Sequence, residues 1–417
     1  MRRSFSQPLD LTRLRAAYSA GLSPVRVVTQ ILEEIEHRGE DGVWISLAPH
    51  QEIVARAQAL EALPPSSRTE LPLWGVPFSI KDCIDIEGLP TTSACPEFSY
   101  EPKRSNPGVE QLIAAGAIAI GKTNMDQFAT GLNGTRSPYG IARNPFNPAY
   151  IPGGSSSGAA VSVSAGLVSF ALGTDTGGSG RVPVALTNVI GLKPTPGQIS
   201  GRGTVPACRS IETISVFALT APDALAVFDI IKRFDPLDPF SRRPEQDHDL
   251  PASAFRFGIP DELEFFGDGN AAALFEEGLR ALTEIGGHPH RIDYAPFREL
   301  NDLLFQGPWL AERYGSLADF LDRSPDGPLP LTRDILLSGR RFTAADLFAA
   351  QQRLRALKRQ AVSIWQEVDV FVVPATPATY RVDEMLADPI VLNARLGTYT
   401  NFVNFAGFAG VAIPNGF

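Results

Sequence analysis

Cysteine, histidine and lysine are all scarce in this chain, and each scarcity narrows the chemistry open to it. Three cysteines in 417 residues, Cys83, Cys95 and Cys208, form neither a metal-ligand spacing nor a disulfide framework, which fits a reducing compartment. None of the five histidines, His37, His50, His248, His288 and His290, stands in a motif with a serine and an acid, so a Ser-His-Asp triad would have to be assembled in space. The two in GGHPHRID read as a surface turn. A net charge of −9 with no basic stripe argues against a nucleic-acid partner. The apolar stretches are too short, and too broken by Gly and Pro, to span a bilayer. The opening MRRSFSQPLDLTRLRAAYSAG has basic residues but not the apolar segment of a signal peptide. What is left is a cytoplasmic enzyme or binding protein with no membrane partner.

What is present is an ordinary globular composition, 44% hydrophobic and 20% charged, long enough for a large core. Two helices open the chain. In the second, Ser23 can cap and Pro24 can take the first helical position, and Val27, Val28, Ile31, Leu32 and Ile35 recur on one face. The run LWGVPFSIKDCIDI predicts a buried strand from about Val76 to Lys81. A helix and short strand follow in EQLIAAGAIAIGKTN, then an ordered Pro-rich loop over 138–152. Small residues over 158–171 suit a closely packed helix running into the strand SFALGTD, and NVIGLKPTPG reads as a strand and turn. A helix over 220–233, a Pro- and charge-rich loop to about Ala254, a strand at FRFGIP, helices to Arg359, a buried strand over 368–377 and a last strand at VAIPNGF complete the reading. Alternating strands and helices predict an α/β fold, a mixed β-sheet core sandwiched by helices.

Two clusters wedge serine among glycines, GGSSSG at 153–158 and DTGGSGR at 175–181. Successive glycines let backbone N–H groups converge on one point, as an oxyanion hole requires. Neither cluster has the spacing of a phosphate loop or a dinucleotide fingerprint, and the apolar run between them is unlike a linker. The base that would activate a serine is sought among the lysines, of which there are six against thirty-one arginines. Lys81 ends a buried strand, where desolvation favours the neutral amine, and arginine cannot deprotonate. The alternative for Lys81 is a structural ion pair with Asp82 or Asp85.

Lys81 in GVPFSIKD, GGSSSG and DTGGSGR, in that order and with Ser155 and Ser179 24 residues apart, resemble the amidase signature family, as do GKTNMDQFATG and GLKPTPG. The resemblance covers most of the chain and is densest from about Leu73 to Ala218. It implies one amidase domain over 1–417: N-terminal helices to 70, a signature core over 71–220, then a helical insert and the remaining strands. By resemblance, Ser179 is the nucleophile, Ser155 the cis-serine relay and Lys81 the base. Thr176, Gly177 and Gly178, with Ser179, would supply the oxyanion amides. The implied reaction is amide hydrolysis through an acyl-enzyme, with no metal and no organic cofactor.

Within that family DQFATGLNGTRSPYG, RNPFNPAYIPGGSSSG, VPACRS and LLFQGPWLAERY are most similar to allophanate hydrolases, which act after urea carboxylase on a small anionic amide. This implies substrate-binding roles for Gly131, Phe305 and Arg313, the last through a guanidinium facing a carboxylate, with a surface pair to Glu312 as the alternative. It also implies a homodimer and a functional link to urea carboxylase. Two positions depart from the pattern: Phe305 stands where tyrosine is expected and Gly177 where alanine is. The chain also ends early by that pattern, so the closing strands of the sheet and any further C-terminal domain are expected to be absent. The alternatives are an amidase for another short or carboxybiuret-like amide, and a non-catalytic or complex-dependent amidase-like protein.

Overall fold

Three parallel strands at the centre of a seven-stranded sheet set the geometry of the molecule. In the computed structural model, which describes residues 9–243 and 254–417 and leaves out the side chain of Phe305, the chain forms two sheets. The strands are β1 (Trp44–Leu47), β2 (Pro77–Lys81), β3 (Ile118–Thr123), β4 (Phe170–Asp175), β5 (Ile190–Lys193), β6 (Thr213–Ala218), β7 (Phe255–Pro260), β8 (Gly287–Ile292), β9 (Val370–Phe371) and β10 (Gly410–Ala412). The large sheet has the order β1-β3-β2-β4-β6-β5-β10, and the small one β8-β7-β9. β2 runs parallel to both β3 and β4, while β1, β6, β5 and β10 add antiparallel partners, so the large sheet is mixed. The small sheet is wholly parallel.

β2 reads as five buried residues in a row because both of its faces are covered. Phe78 lies opposite Phe170 in the register, and the two rings stack with centroids 5.1 Å apart. Behind the sheet, the helix Ser157–Ser164 presents alanine, valine and serine, and Ser162 bonds Ser79 of β2 at 2.8 Å. Small side chains let this helix approach the strands closely. The helix Pro24–Arg38 buries Val27, Val28, Ile31, Leu32 and Ile35, with Ser23 accepting from the Arg26 amide as its cap. A second core joins Ile292, Tyr294, Phe297, Leu300 and Leu304 to Leu357, Phe402 and Phe405. Its helices Ala295–Gln306 and Trp309–Arg323 carry Leu304 and Arg313.

Several expectations need correction. The chain has two sheets where one was expected. The predicted strand over 368–377 shrinks to Val370–Phe371 and belongs to the small sheet, because Pro374 and Pro377 end its ladder. GGHPHRI is not a turn but the edge strand β8, with His288 and His290 exposed. Two strands escaped the pattern reading, β1 and the fully buried β6. The loop expected to reach Ala254, with His248, lies partly outside the described residues. Among the described residues no helix is long and apolar enough to cross a membrane.

Lys193, at the end of β5, donates to the carbonyls of Pro194 (2.9 Å) and Phe408 (2.6 Å), tying the sheet to the segment before β10. Burial pushes its amine down to about 7, against the pull of Asp175. An unfolded lysine holds its proton to about pH 10.4, so between pH 7 and 10 the unfolded chain binds more protons and this group makes stability climb with pH. We predict that, in urea unfolding, the wild-type protein gains on the order of 2 kcal/mol relative to Lys193→Met between pH 7 and pH 9. A pH-independent difference between the two would refute this.

Candidate active site

Parallel pairing of β2 and β4 brings their C-terminal ends to the same edge of the sheet, where ligands bind in open α/β sheets. Lys81 ends β2, and Thr174 and Asp175 end β4. The Lys81 amine is fully buried and donates to Ser155 Oγ at 2.7 Å and Thr174 Oγ1 at 2.8 Å. Burial lowers its proton affinity, opposed by the negative charge that Cys83, Glu212, Asp126 and Asp175 can carry. Neither ion-pair alternative holds: Asp82 pairs with Lys122 at 3.5 Å, and Asp85 accepts from Thr91 and Tyr100.

Ser155 sits just before the helix Ser157–Ser164, and the Gly154–Ser155 peptide bond is cis. Glycine is required at 154 for space, because a Cβ there would lie 2.2 Å from Asp126 Oδ2 and 2.6 Å from the Gly134 amide. Asp126 in turn accepts from the Gly134 amide (3.0 Å) and the Arg136 amide (2.9 Å), so one carboxylate shapes the loop that faces the serine cluster.

Ser179 lies on the turn after β4. That turn is organised by Asp175, whose two oxygens accept from the amides of Gly178 and Gly180 (both 2.9 Å) and from Arg181 through Nε (2.9 Å) and Nη2 (2.8 Å). Burial alone would raise the Asp175 carboxyl. Arg181, aided by Lys193 and the Gly180 amide, outweighs it and holds the group below its ordinary value. Arg181 also donates to Thr400 O and Asn404 Oδ1, and Asn404 donates to Asp175 O, so the C-terminal segment clamps the same turn.

Within this arrangement Lys81 and Ser155 meet directly, whereas Ser179 makes no hydrogen bond among the described residues and is 4% exposed. The oxyanion expectation is corrected at one residue. The Gly178 N–H is committed to Asp175, which leaves the amides of Thr176, Gly177 and Ser179 without an acceptor among the described residues. The departure at Gly177 has a steric reason, since a Cβ there would come within 2.8 Å of Leu304 and 3.0 Å of Asn401 Oδ1.

Arg313 is buried and does not pair with Glu312, which instead accepts from the amide and hydroxyl of Ser210. Its Nη1 reaches Thr130 Oγ1 at 3.5 Å, and its Nε has no partner among the described residues. Beside it Arg136, which sequence reasoning missed, is also buried and donates to the carbonyls of Thr130 (2.8 Å) and Pro389 (2.5 Å). Burial lowers the Arg136 proton affinity and the charge on Arg313 lowers it further, while Asp126 opposes both. Gly131 follows Thr130 on the strip between these guanidiniums and Asp126. Phe305 belongs to the helix Ala295–Gln306, but its side chain lies outside the described residues. The motif GTRSPYG contained Arg136 in plain view, yet nothing in its spacing distinguishes it from a surface arginine.

The sequence model of a family described as Amidase matches residues 26–417. A urea amidolyase from Saccharomyces cerevisiae is 40% identical over 403 residues, covering 96% of this chain and 22% of that protein. A second urea amidolyase, from Lachancea kluyveri, is 39% identical over 93% of this chain and 21% of its own length. Among solved structures, an allophanate hydrolase from Kluyveromyces lactis superposes with a TM-score of 0.91 at 39% identity, covering 99% of this chain and 68% of that one. The chain therefore spans about a fifth of the urea amidolyases it matches.

Replacing Asp175 by Asn would leave Arg181 buried without its counter-ion and turn one of the two accepting oxygens into a donor, unfastening one turn amide. Asp175→Asn should cost about 3–5 kcal/mol in urea unfolding. A loss below about 1 kcal/mol, the range of an exposed pair, would contradict this account of the turn.

Proposed function

This chain belongs to the Amidase family and is an amidohydrolase, and from that premise we propose that Lys81, Ser155 and Ser179 form a proton-relay triad that hydrolyses allophanate through an acyl-enzyme. The observation that carries the reading is the 2.7 Å contact between the buried Lys81 amine and Ser155 Oγ at the strand edge from which the Ser179 turn departs. A desolvated amine is neutral at a lower pH than a lysine in water, and its lone pair can then take the Ser155 proton across that contact. Thr174 holds the amine in place.

In the proposed reaction Ser179 Oγ attacks the terminal amide carbon while its proton passes to Ser155 and the Ser155 proton passes to Lys81. The new C–O bond puts negative charge on the former carbonyl oxygen, within reach of the uncommitted amides of Thr176, Gly177 and Ser179. The C–N bond then breaks, and the nitrogen leaves as ammonia with the proton returned along the relay. Water, deprotonated by the same relay, attacks the acyl-enzyme and releases Ser179. The Ser155–Ser179 contact closes with substrate bound, as catalytic hydrogen bonds commonly tighten in the Michaelis complex.

Substrate charge is assigned from the two buried guanidiniums. Neither Arg136 nor Arg313 is in an ion pair among the described residues, and both gather at Thr130 beside Gly131. Buried cations without a carboxylate favour an anionic ligand. Allophanate carries a carboxylate beyond a terminal amide, and the relatives named urea amidolyase and allophanate hydrolase favour it. Urea carboxylation would supply such a substrate, which places this chain functionally after a urea carboxylase. The second reading is another short anionic amide, favoured by Gly177 and Phe305 where the resemblance expects Ala and Tyr.

Ammonia release from allophanate should fall about 10³-fold or more in Ser179→Ala and in Lys81→Met. A fluorophosphonate probe should label the wild-type protein at Ser179, and retained turnover in Ser179→Ala would end the reading. Arg313→Ala should raise KM for allophanate about 10- to 100-fold, the loss of a charged hydrogen bond, while a neutral primary amide is unaffected. An equal loss with the neutral amide would remove the anion-binding role.

A further inference from the structure

When Lys81 takes the proton, a full positive charge appears at a fully buried position. The amine then stands among two hydroxyls, Ser155 and Thr174, and is in no ion pair among the described residues. Four titratable groups act on its charge: Cys83, Glu212, Asp126 and Asp175, and Glu212 is held by Thr176, two residues after Thr174. Burial pushes the Cys83 thiol up to about 11, so it is uncharged. Asp175 is held in a two-pronged pair by Arg181. Asp126 is committed to two backbone amides and lies in the field of the Arg136 guanidinium.

Glu212 is different. It is buried just before β6, with Oε2 accepting from Thr176 Oγ1 and the Ala207 amide, both at 2.7 Å. Its Oε1 is buried with no hydrogen bond, and Glu212 is in no ion pair among the described residues. Arg209, the arginine whose charge it feels, is bound to Asp238. Burial raises the Glu212 carboxyl and lowers the Lys81 amine, and the charge on each opposes the shift in the other.

We propose that Glu212 is a positioning residue for the reaction: its carboxylate is the counter-charge to the Lys81 ammonium formed during acylation, and its bond to the Thr176 hydroxyl fixes the residue whose amide faces the oxyanion. The inference rests on the triad reading above. Glu212 neither gives nor takes the proton, which travels from Ser179 to Ser155 to Lys81 and back to the departing nitrogen. Nothing in the sequence signals this role, because a lone glutamate in RSIETIS has no pattern around it.

Glu212→Gln keeps the shape and an acceptor for Thr176 but removes the charge, whereas Glu212→Asp keeps the charge. In the Gln variant kcat/KM for allophanate should fall about 10- to 100-fold, with KM little changed. The acidic limb of its pH profile should move to lower pH, because Lys81 loses the charge that sustains its basicity. The Asp variant should keep the limb in place. A Gln variant with the wild-type limb, or the same limb and the same loss in both variants, overturns the counter-charge. Thr176→Val tests the tether whether or not the Gln variant folds: kcat should drop with the limb unmoved, and wild-type kcat overturns it. Fluorophosphonate labelling separates the failures. If Ser179 of the wild-type protein is not labelled, the triad reading falls and this proposal with it; if it is labelled and the limb does not move in Glu212→Gln, only the present inference falls.

Discussion

An amine sealed from water, with two hydroxyls as its hydrogen-bond partners, is the constraint on which the rest of this structure depends. Lys81 reaches that state because β2 is the middle strand of three parallel ones and has both faces covered. A surface lysine would be protonated and unable to act as the proposed base, and an arginine would stay protonated even here. Under the proposed relay the hydrophobic core is part of the chemistry. The stacked Phe78 and Phe170 cover one face of β2, and the small-residue helix Ser157–Ser164, which bonds Ser79, covers the other. Burial of this kind opposes folding, since a lysine gives up its hydration with no carboxylate in return. The surrounding core has to outweigh that cost.

The serine turn has the opposite design. Where Lys81 is left unpaired, the turn carrying Ser179 is saturated with charge-assisted bonds. Asp175 holds two turn amides and the Arg181 fork, and Arg181 reaches Thr400 and Asn404, more than two hundred residues further along the chain. Thr400 returns a bond to the Gly177 carbonyl. A glycine-rich turn is flexible in isolation, so its amides can be aimed only if neighbours immobilise it. The two halves of the chain meet for that purpose, and the second core supplies the helices that set Leu304 and Arg313 against the same region.

Legibility in the sequence followed the range of the interactions. The strand ending at Lys81 could be read because its burial is written in consecutive residues, and the Pro24–Arg38 helix because its apolar face recurs locally. The serine clusters were visible because glycine and serine rarely crowd together for packing reasons. β6 is left unassigned between the GLKPTPG turn and the next helix, although TISVFA is an apolar β-branched run. The two-sheet division could not be read, because strand pairing across a hundred residues leaves no periodic trace; β9 pairs with β7 from that distance. The diversion of the Gly178 amide to Asp175 was hidden for a related reason. Sequence lists four candidate donors, and only the folded turn decides which one is already occupied.

The contrast between two lysines shows how local partners, at equal burial, set a structural lysine apart from the proposed base. Lys81 and Lys122 lie on adjacent strands, both are fully buried, and burial lowers the proton affinity of both. Lys122 has the Asp82 carboxylate at 3.5 Å, with Thr91 and the Pro90 carbonyl completing its shell. The carboxylate opposes the effect of burial there, and these contacts hold the loop after β2 against β3. Lys81 has the same depth and no carboxylate at that distance, so its neutral form loses least by burial. Desolvation acts on both alike, and what tells them apart is the carboxylate in direct contact with Lys122 alone, which under the proposed relay leaves Lys81 free to act as the base.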